Sequence, residues 1–269
     1  EYLKYITKLF TLTGTDQATA DKQANAILDL ETAIAKSHST PTELRDPIKN
    51  YNKFAVANFQ KQVPDIDLKN AFGRMLVKTN TILVGQPTYY QALNNLLKTR
   101  PIAIWKAKVK FEALSHAAPY MSKDFDHAHF DFFKKVLNGA KVKEERWKIV
   151  TVVIDGSLGE LLGQLYAARY FKPEAKQRML TLVNNLQAVY KSRIEKLDWM
   201  SAETKQRALA KLEAFTKKIG YPDKWKKYDD VQIDHTMYYK NMQSIARHDY
   251  QEMIQKLGKP VDRTEWGMT

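Results

Sequence analysis

An apolar period close to 3.6 residues runs through most of this chain, a pattern that fits packed helices and little else. Near the start, Tyr2, Tyr5, Ile6, Leu9 and Phe10 fall on one helical face, with Gly14 where a C-terminal cap belongs. Ala24, Ile27, Leu28, Glu31, Ile34 and Ala35 continue a second helix that must fail before Pro41. In "PTYYQALNNLLKTRP", Pro87 precedes a helix and Pro101 follows it. "WMSAETKQRALAKLEAFTKKIGYP" carries its own punctuation. Ser201 is a good N-cap, Glu203 sits in the first turn near the positive end of the dipole, and Gly220 with Pro222 marks the stop. Leu209, Leu212, Phe215 and Ile219 form the expected buried stripe. The reading is all-α.

One stretch argues otherwise. "VTVVIDGSLGE" has the look of a buried strand entering a Gly-rich phosphate loop, yet the spacing of dinucleotide and Walker motifs is absent. No further strands of similar quality exist to pair with it, so the segment is read as helix. Gly156, Gly159 and Gly163 then share a face at i, i+3 and i+7, where a second helix backbone is expected to approach closely. That packing would offset the roughly 1 kcal/mol each Gly costs relative to Ala.

The stretch "KDFDHAHFDFF" at 123–133 gathers two histidines and three aspartates. Two residues along a helix is about 200° of rotation, so His127 and His129 point to opposite sides, whereas a helical metal pair needs i, i+3 or i, i+4. Phe125, Phe132, Phe133, Val136 and Leu137 follow an apolar face ended by Gly139, with His129 on it and His127 among Asp124, Asp126 and Asp131 on the wet side. His38, His116, His235 and His248 stand apart, and neither H-E-x-x-H nor G-x-S-x-G occurs. No catalytic, metal-ligating or substrate-binding residue is assigned.

The 269 residues suit one large helical domain or two small ones, and zero cysteines exclude disulfides and thiolate chemistry. The longest apolar run, "IVTVVI" at 149–154, is too short to cross a bilayer, so no transmembrane segment is expected. A net charge of +13 favours acidic partners. Its densest patch, "KKIGYPDKWKKY" at 217–228, interleaves Lys with Tyr221, Trp225 and Tyr228 as single-strand binders do. The plainer reading is a solvated helix end and a loop whose aromatics pack inward, and no nucleic acid is expected. "LLGQLYAARYF" echoes a tetratricopeptide repeat, but nothing similar recurs at the period of about 34 residues that an interaction scaffold would need.

Two segments carry a more specific likeness. In "ERWKIVTVVIDGSLGELLGQLYAARYF" (145–171) and "LDWMSAETKQRALAKLEAFTKKIGYP" (197–222) the chain resembles the helical region of the neprilysin and endothelin-converting-enzyme family of zinc endopeptidases. The matching positions are Arg146, Trp147, Gly163, Tyr166, Tyr170 and Phe171, then Trp199, Met200, Thr204, Ala208, Lys211 and Leu212. Weaker matches follow in family order at "LDLETAIA" (28–35), "RDPIKNYNKF" (45–54), "VGQPTYYQALNNLL" (84–97) and "GKPVDRTEWGMT" (258–269).

The resemblance implies a noncatalytic helical lobe over 1–257, truncated at its N-terminal side, and the start of a linker over 258–269. In the family this lobe caps a thermolysin-like catalytic domain, and the two enclose a chamber that admits peptides and excludes folded proteins. The zinc-binding H-E-x-x-H helix, the third ligand and the Asn-Ala segment that holds substrate backbone would lie beyond the point matching Thr269. Zinc would belong to that missing domain and none to this chain, which alone would be inactive. The implied partners are the catalytic lobe of the same polypeptide and peptide substrates, and the implied location is extracytoplasmic. Animal members are disulfide-rich, so the lack of cysteine points to a bacterial member.

Overall fold

The computed structural model describes residues 1–266, and the end of the expected linker, Gly267, Met268 and Thr269, lies outside them. The fold is all-α. In chain order the helices are α1 (Tyr2–Leu12), α2 (Gln17–Ala35), α3 (Val56–Gln62), α4 (Leu68–Arg74), α5 (Pro87–Thr99), α6 (Ile102–Ala117), α7 (Lys123–His129), α8 (Arg146–Tyr170), α9 (Pro173–Lys196), α10 (Ala202–Glu213) and α11 (Tyr238–Gln255). A two-stranded antiparallel ribbon, β1 (Lys53–Ala55) and β2 (Thr81–Leu83), pairs Phe54 with Ile82. The chain divides into two compact units. The first comprises Glu1–Lys143 with Gln232–Leu257, and the second Glu144–Val231 with the residues from Gly258 onward.

The first unit has a dense core. Ile6, Leu9 and Phe10 of α1 are fully buried and meet Ala20, Ala24 and Ile27 of α2, Ala107 and Phe111 of α6, and Phe125 of α7. Each large apolar side chain so buried contributes about 1.5–3 kcal/mol. The turn between α1 and α2 sets their antiparallel packing. Gly14 takes φ +84°, its N–H donates to Thr11 O at 3.0 Å, and the Thr15 N–H donates to Phe10 O at 3.2 Å. That satisfies two carbonyls left open at the end of α1. Asp16 then caps α2 by accepting from the Thr19 N–H at 2.9 Å. The expected apolar stripe of α2 is shifted: Leu30 is buried, whereas Ala35 is exposed.

Several polar groups at the edge of this core are paired. Tyr2 donates to Glu31 Oε2 at 2.7 Å, Thr7 donates to Asp21 Oδ1 at 2.9 Å, and Lys108 bridges Glu31 and Glu112. Burial and the Glu31 carboxylate push the Tyr2 hydroxyl well above the usual phenol range. Burial alone would pull Lys108 down, but its two carboxylate partners hold it above its ordinary value. A smaller core of Phe59, Val63, Leu68 and Val84 lies beside the ribbon. There the Gln60 side chain donates to Val63 O and Ile66 O and accepts from the Leu68 N–H.

The second unit differs in kind. Of its described residues only Pro222 is buried. Helix α8 is continuous through "VTVVIDGSLGE", with a kink at Leu158 (φ −123°, ψ 30°) between Gly156 and Gly159. The expected approach of a second helix to the glycine face does not occur. A Cβ at Gly156 would meet nothing within 4 Å, one at Gly159 only Asp155 of the same helix, and one at Gly163 the Trp225 indole at 3.3 Å. Bilayer length was also misjudged by counting one apolar run. Helix α8 contains an 18-residue window of mean hydropathy 1.2, because Gly, Ser and Ala separate its apolar runs with only Asp155 and Glu160 charged between 149 and 168. By length and composition it is long and apolar enough to span a membrane.

Helix α10 stops at Glu213, six residues before Ile219, so Phe215 is exposed rather than part of a buried stripe. A side chain from α9 accounts for the early stop. Gln187 Nε2 donates to Leu212 O at 2.8 Å, supplying a partner to a carbonyl that the next helical turn would otherwise have to satisfy.

Candidate functional site

The histidine stretch divides between two surroundings. Helix α7 ends at His129 and continues as a π-helical segment, Phe130–Val136, in which the Leu137 N–H reaches back five residues to Phe132 O at 3.1 Å. The wider turn rotates later residues away from the core, so Val136 and Leu137 are exposed although the 3.6 period predicted them buried. His127 is exposed beside a cavity of about 400 Å³ that Lys4, Lys8, Asp124 and Asp131 also line. His129 is half-buried, its ring 4.6 Å from that of Phe133. Burial pulls the His129 pKa below its ordinary value; Asp126 opposes this, and Lys134 and Lys143 reinforce it. Among the described residues no group of three or more His, Cys, Asp or Glu could hold a metal ion. The described residues therefore do not fit a zinc site.

The motif positions of the second unit scatter into three places. Arg146 and Trp147 open α8, where Trp147 Nε1 donates to Glu145 Oε2 at 2.5 Å and the ring stays exposed under Lys148. Trp199 is exposed and Met200 half-buried just before α10. Thr204 is the third residue of α10, and its N–H donates to the capping Ser201 Oγ at 3.2 Å while the two hydroxyls lie 2.9 Å apart. Tyr166 and Tyr170 are exposed and in ring contact with each other at 5.1 Å.

Gly163 and Phe171, by contrast, converge on the loop after α10. The Trp225 indole lies over Gly163 and stacks on Tyr221 at 5.7 Å and 12°, and Tyr221 meets Phe171 edge-on at 6.0 Å. Gly220 takes φ +74°, and a Cβ there would fall 2.5 Å from the Phe171 ring. Lys176 of α9 ties the loop down. Its Nζ donates to Tyr221 O at 2.8 Å and Asp223 Oδ1 at 2.6 Å, 4.4 Å from the centre of the Tyr221 ring. Glu160 Oε2 accepts from the Lys226 N–H at 2.7 Å.

Two of the aromatics in the basic stretch at 217–228 are thus packed against α8 and the Tyr170–Phe171 corner instead of offering stacking platforms. This knot holds no nucleophile beside a base; it is a clamp joining α8, α9 and the loop. Gly163 and Phe171 were legible in the sequence as motif positions. Lys176 and Glu160 were not, since their partners lie 45 and 66 residues away.

The sequence profile of peptidase family M13 matches residues 1–222. An endothelin-converting enzyme homolog of Locusta migratoria is 27% identical over 100% of this chain and 39% of its own length. The zinc metalloprotease ZMP1 of Mycobacterium tuberculosis, in its open state, superposes with a TM-score of 0.93 at 33% identity, covering 100% of this chain and 42% of that one. The same protein in complex with an inhibitor gives a TM-score of 0.85. The chain therefore spans about two fifths of the length of the relatives it matches.

Proposed function

The chain belongs to peptidase family M13, and from that premise we propose that it is the noncatalytic helical lobe of a zinc-dependent metalloendopeptidase that hydrolyses peptides. Residues 1–257 form the lobe, and 258–269 begin the connection to a catalytic lobe carried elsewhere in the same polypeptide. Zinc belongs to that other lobe, and this chain by itself is inactive. The helical lobe encloses and size-restricts the chamber in which peptides are cut. Controlled access of water and substrate is what a catalytic zinc with an open coordination position requires of its surroundings. An extracytoplasmic location goes with this reading.

The observation that carries the proposal is the match of the whole of this chain to about two fifths of ZMP1, a zinc metalloprotease whose open and inhibitor-bound states both superpose on this chain. The test uses the full-length parent. Short fluorogenic peptides should be hydrolysed, a chelator should abolish the activity and zinc should restore it. A folded protein should be cut at least tenfold more slowly than the same protein unfolded. Equal rates on the two would overturn the chamber, and an absence of chelator-sensitive hydrolysis would overturn the peptidase reading.

A further inference from the structure

Helix α9 is apolar on two sides. Its half-buried positions Leu180, Val183, Gln187 and Ile194 recur at helical spacing, and Gln187 reaches Leu212 O on α10. On the other side Leu182, Leu186 and Val189 stand at i, i+4 and i+7 with about half of each exposed. With Arg178 and Asn185 they form one open face of this helix. A helix with apolar stripes on two sides belongs between two layers, and the described residues of its own unit supply only one. The unit that contains it also lacks a core, Pro222 being its sole buried residue among those described.

We propose that the Leu182–Leu186–Val189 face is the seat of a helix from the part of the parent polypeptide outside residues 1–269. This rests on the reading that the parent is a full-length M13 peptidase. Relatives carry well over half of their length outside the matched region, ample chain to supply the missing layer. The arriving helix presents its own apolar stripe at i, i+3 or i+4, and i+7, the spacing that interlocks with these residues.

Area decides against a separate molecule. Three side chains on one helix fall far short of the roughly 800 Å² per partner that stable association needs. A segment of the same polypeptide is already present at an effective concentration on the order of millimolar. Composition decides against a bilayer, because Glu174, Gln177, Arg178, Thr181 and Asn185 flank the same face and would enter the hydrocarbon with it.

The zero cysteine count of this chain makes a labelling experiment direct. Leu186→Cys and, separately, Leu182→Cys are introduced into the full-length parent, with any cysteines elsewhere in it replaced. Lys191→Cys, an exposed position on the same helix, serves as the control. Both cysteines on this face should react with a small maleimide at least tenfold more slowly than the control, at every protein concentration and without lipid. Rates equal to the control would overturn the proposal. Protection that appears only at high protein concentration would assign the face to a second copy, and protection only with phosphatidylglycerol vesicles would assign it to a membrane. Either result also overturns it. Peptidase activity is read separately: protected cysteines in a parent without chelator-sensitive hydrolysis would leave the seat standing and remove the peptidase reading.

Discussion

Replacing Gly220 by alanine should cost the second unit about 2–3 kcal/mol, from two separable sources. The backbone there takes φ +74°, a left-handed conformation that costs an L-residue about 1–2 kcal/mol. The new Cβ would also fall 2.5 Å from Phe171 Cε1 and 3.1 Å from Cζ, so the ring must move. It cannot move freely, because Tyr221 abuts it edge-on. Overpacking of this kind costs about 1–3 kcal/mol. Against these stands the smaller entropy of the unfolded chain, worth about 0.4–1 kcal/mol to any Gly→Ala change.

A chain of two units need not unfold in one transition, so the assay should be local. Amide hydrogen exchange of peptides covering 160–176 and 219–227 should speed up by ~30–160-fold, the factor corresponding to about 2–3 kcal/mol, while peptides from α1 and α2 stay unchanged. In a Phe171→Leu background the cost of Gly220→Ala should fall to about 1 kcal/mol, since only the dihedral strain remains. A Gly220→Ala protein that exchanges like the wild type, or a cost identical in both backgrounds, would refute the packing of Gly220 on Phe171.

The glycines of α8 should respond in opposite directions. Gly163→Leu pushes into the Trp225 indole at 3.3 Å and should destabilise by about 1–3 kcal/mol, whereas Gly156→Ala meets nothing and should stabilise by up to about 1 kcal/mol; the same local exchange measurement reads both. His129 should give the first unit a pH dependence. Its folded pKa lies below the unfolded value of 6.5, so the unfolded chain takes up the proton first and stability falls as pH drops from 6.5 through the folded pKa. Denaturant titrations at about pH 7 and pH 5.5 should therefore differ more for the wild type than for His129→Phe, and equal differences would remove His129 as the cause.

How far the sequence could be read depended on whether a residue's partners were near in the chain. The turn at Gly14 and the cap at Ser201 rest on partners within a few residues, and the apolar face of α1 follows an unbroken 3.6 period; all were legible from spacing. The failures share a physical origin. Val136 and Leu137 were misplaced because a π-helical segment breaks the 3.6 period that assigned them. Phe215 was misplaced because Gln187, from another helix, satisfies the carbonyl at the end of α10. Gly163 was expected against a helix backbone and lies instead under Trp225, 62 positions away, a distance no periodicity spans. The motif positions were legible as a likeness, but likeness did not say which of them meet. Gly163 and Phe171 share a clamp while Trp147 and Trp199 stand exposed.

The same limit explains why the second unit puzzles when read alone. Periodicity reports which sides of a helix are apolar and says nothing of what covers them. For α1, a single apolar side gave the right answer. For α9, two apolar sides were present from the outset, at Leu180, Val183 and Ile194 and again at Leu182, Leu186 and Val189. Helix α8 goes further, with Val152, Ile154, Leu161 and Leu165 exposed and no residue buried. A free-standing domain with such helices would leave apolar surface in water at about 25 cal/mol per Å² with no core to offset it. An interior layer of a longer protein pays no such penalty, because its second cover arrives with the rest of the chain. Within the unit, the clamp built from Lys176, Tyr221 and Trp225 is what joins α8 and α9 through the loop after α10.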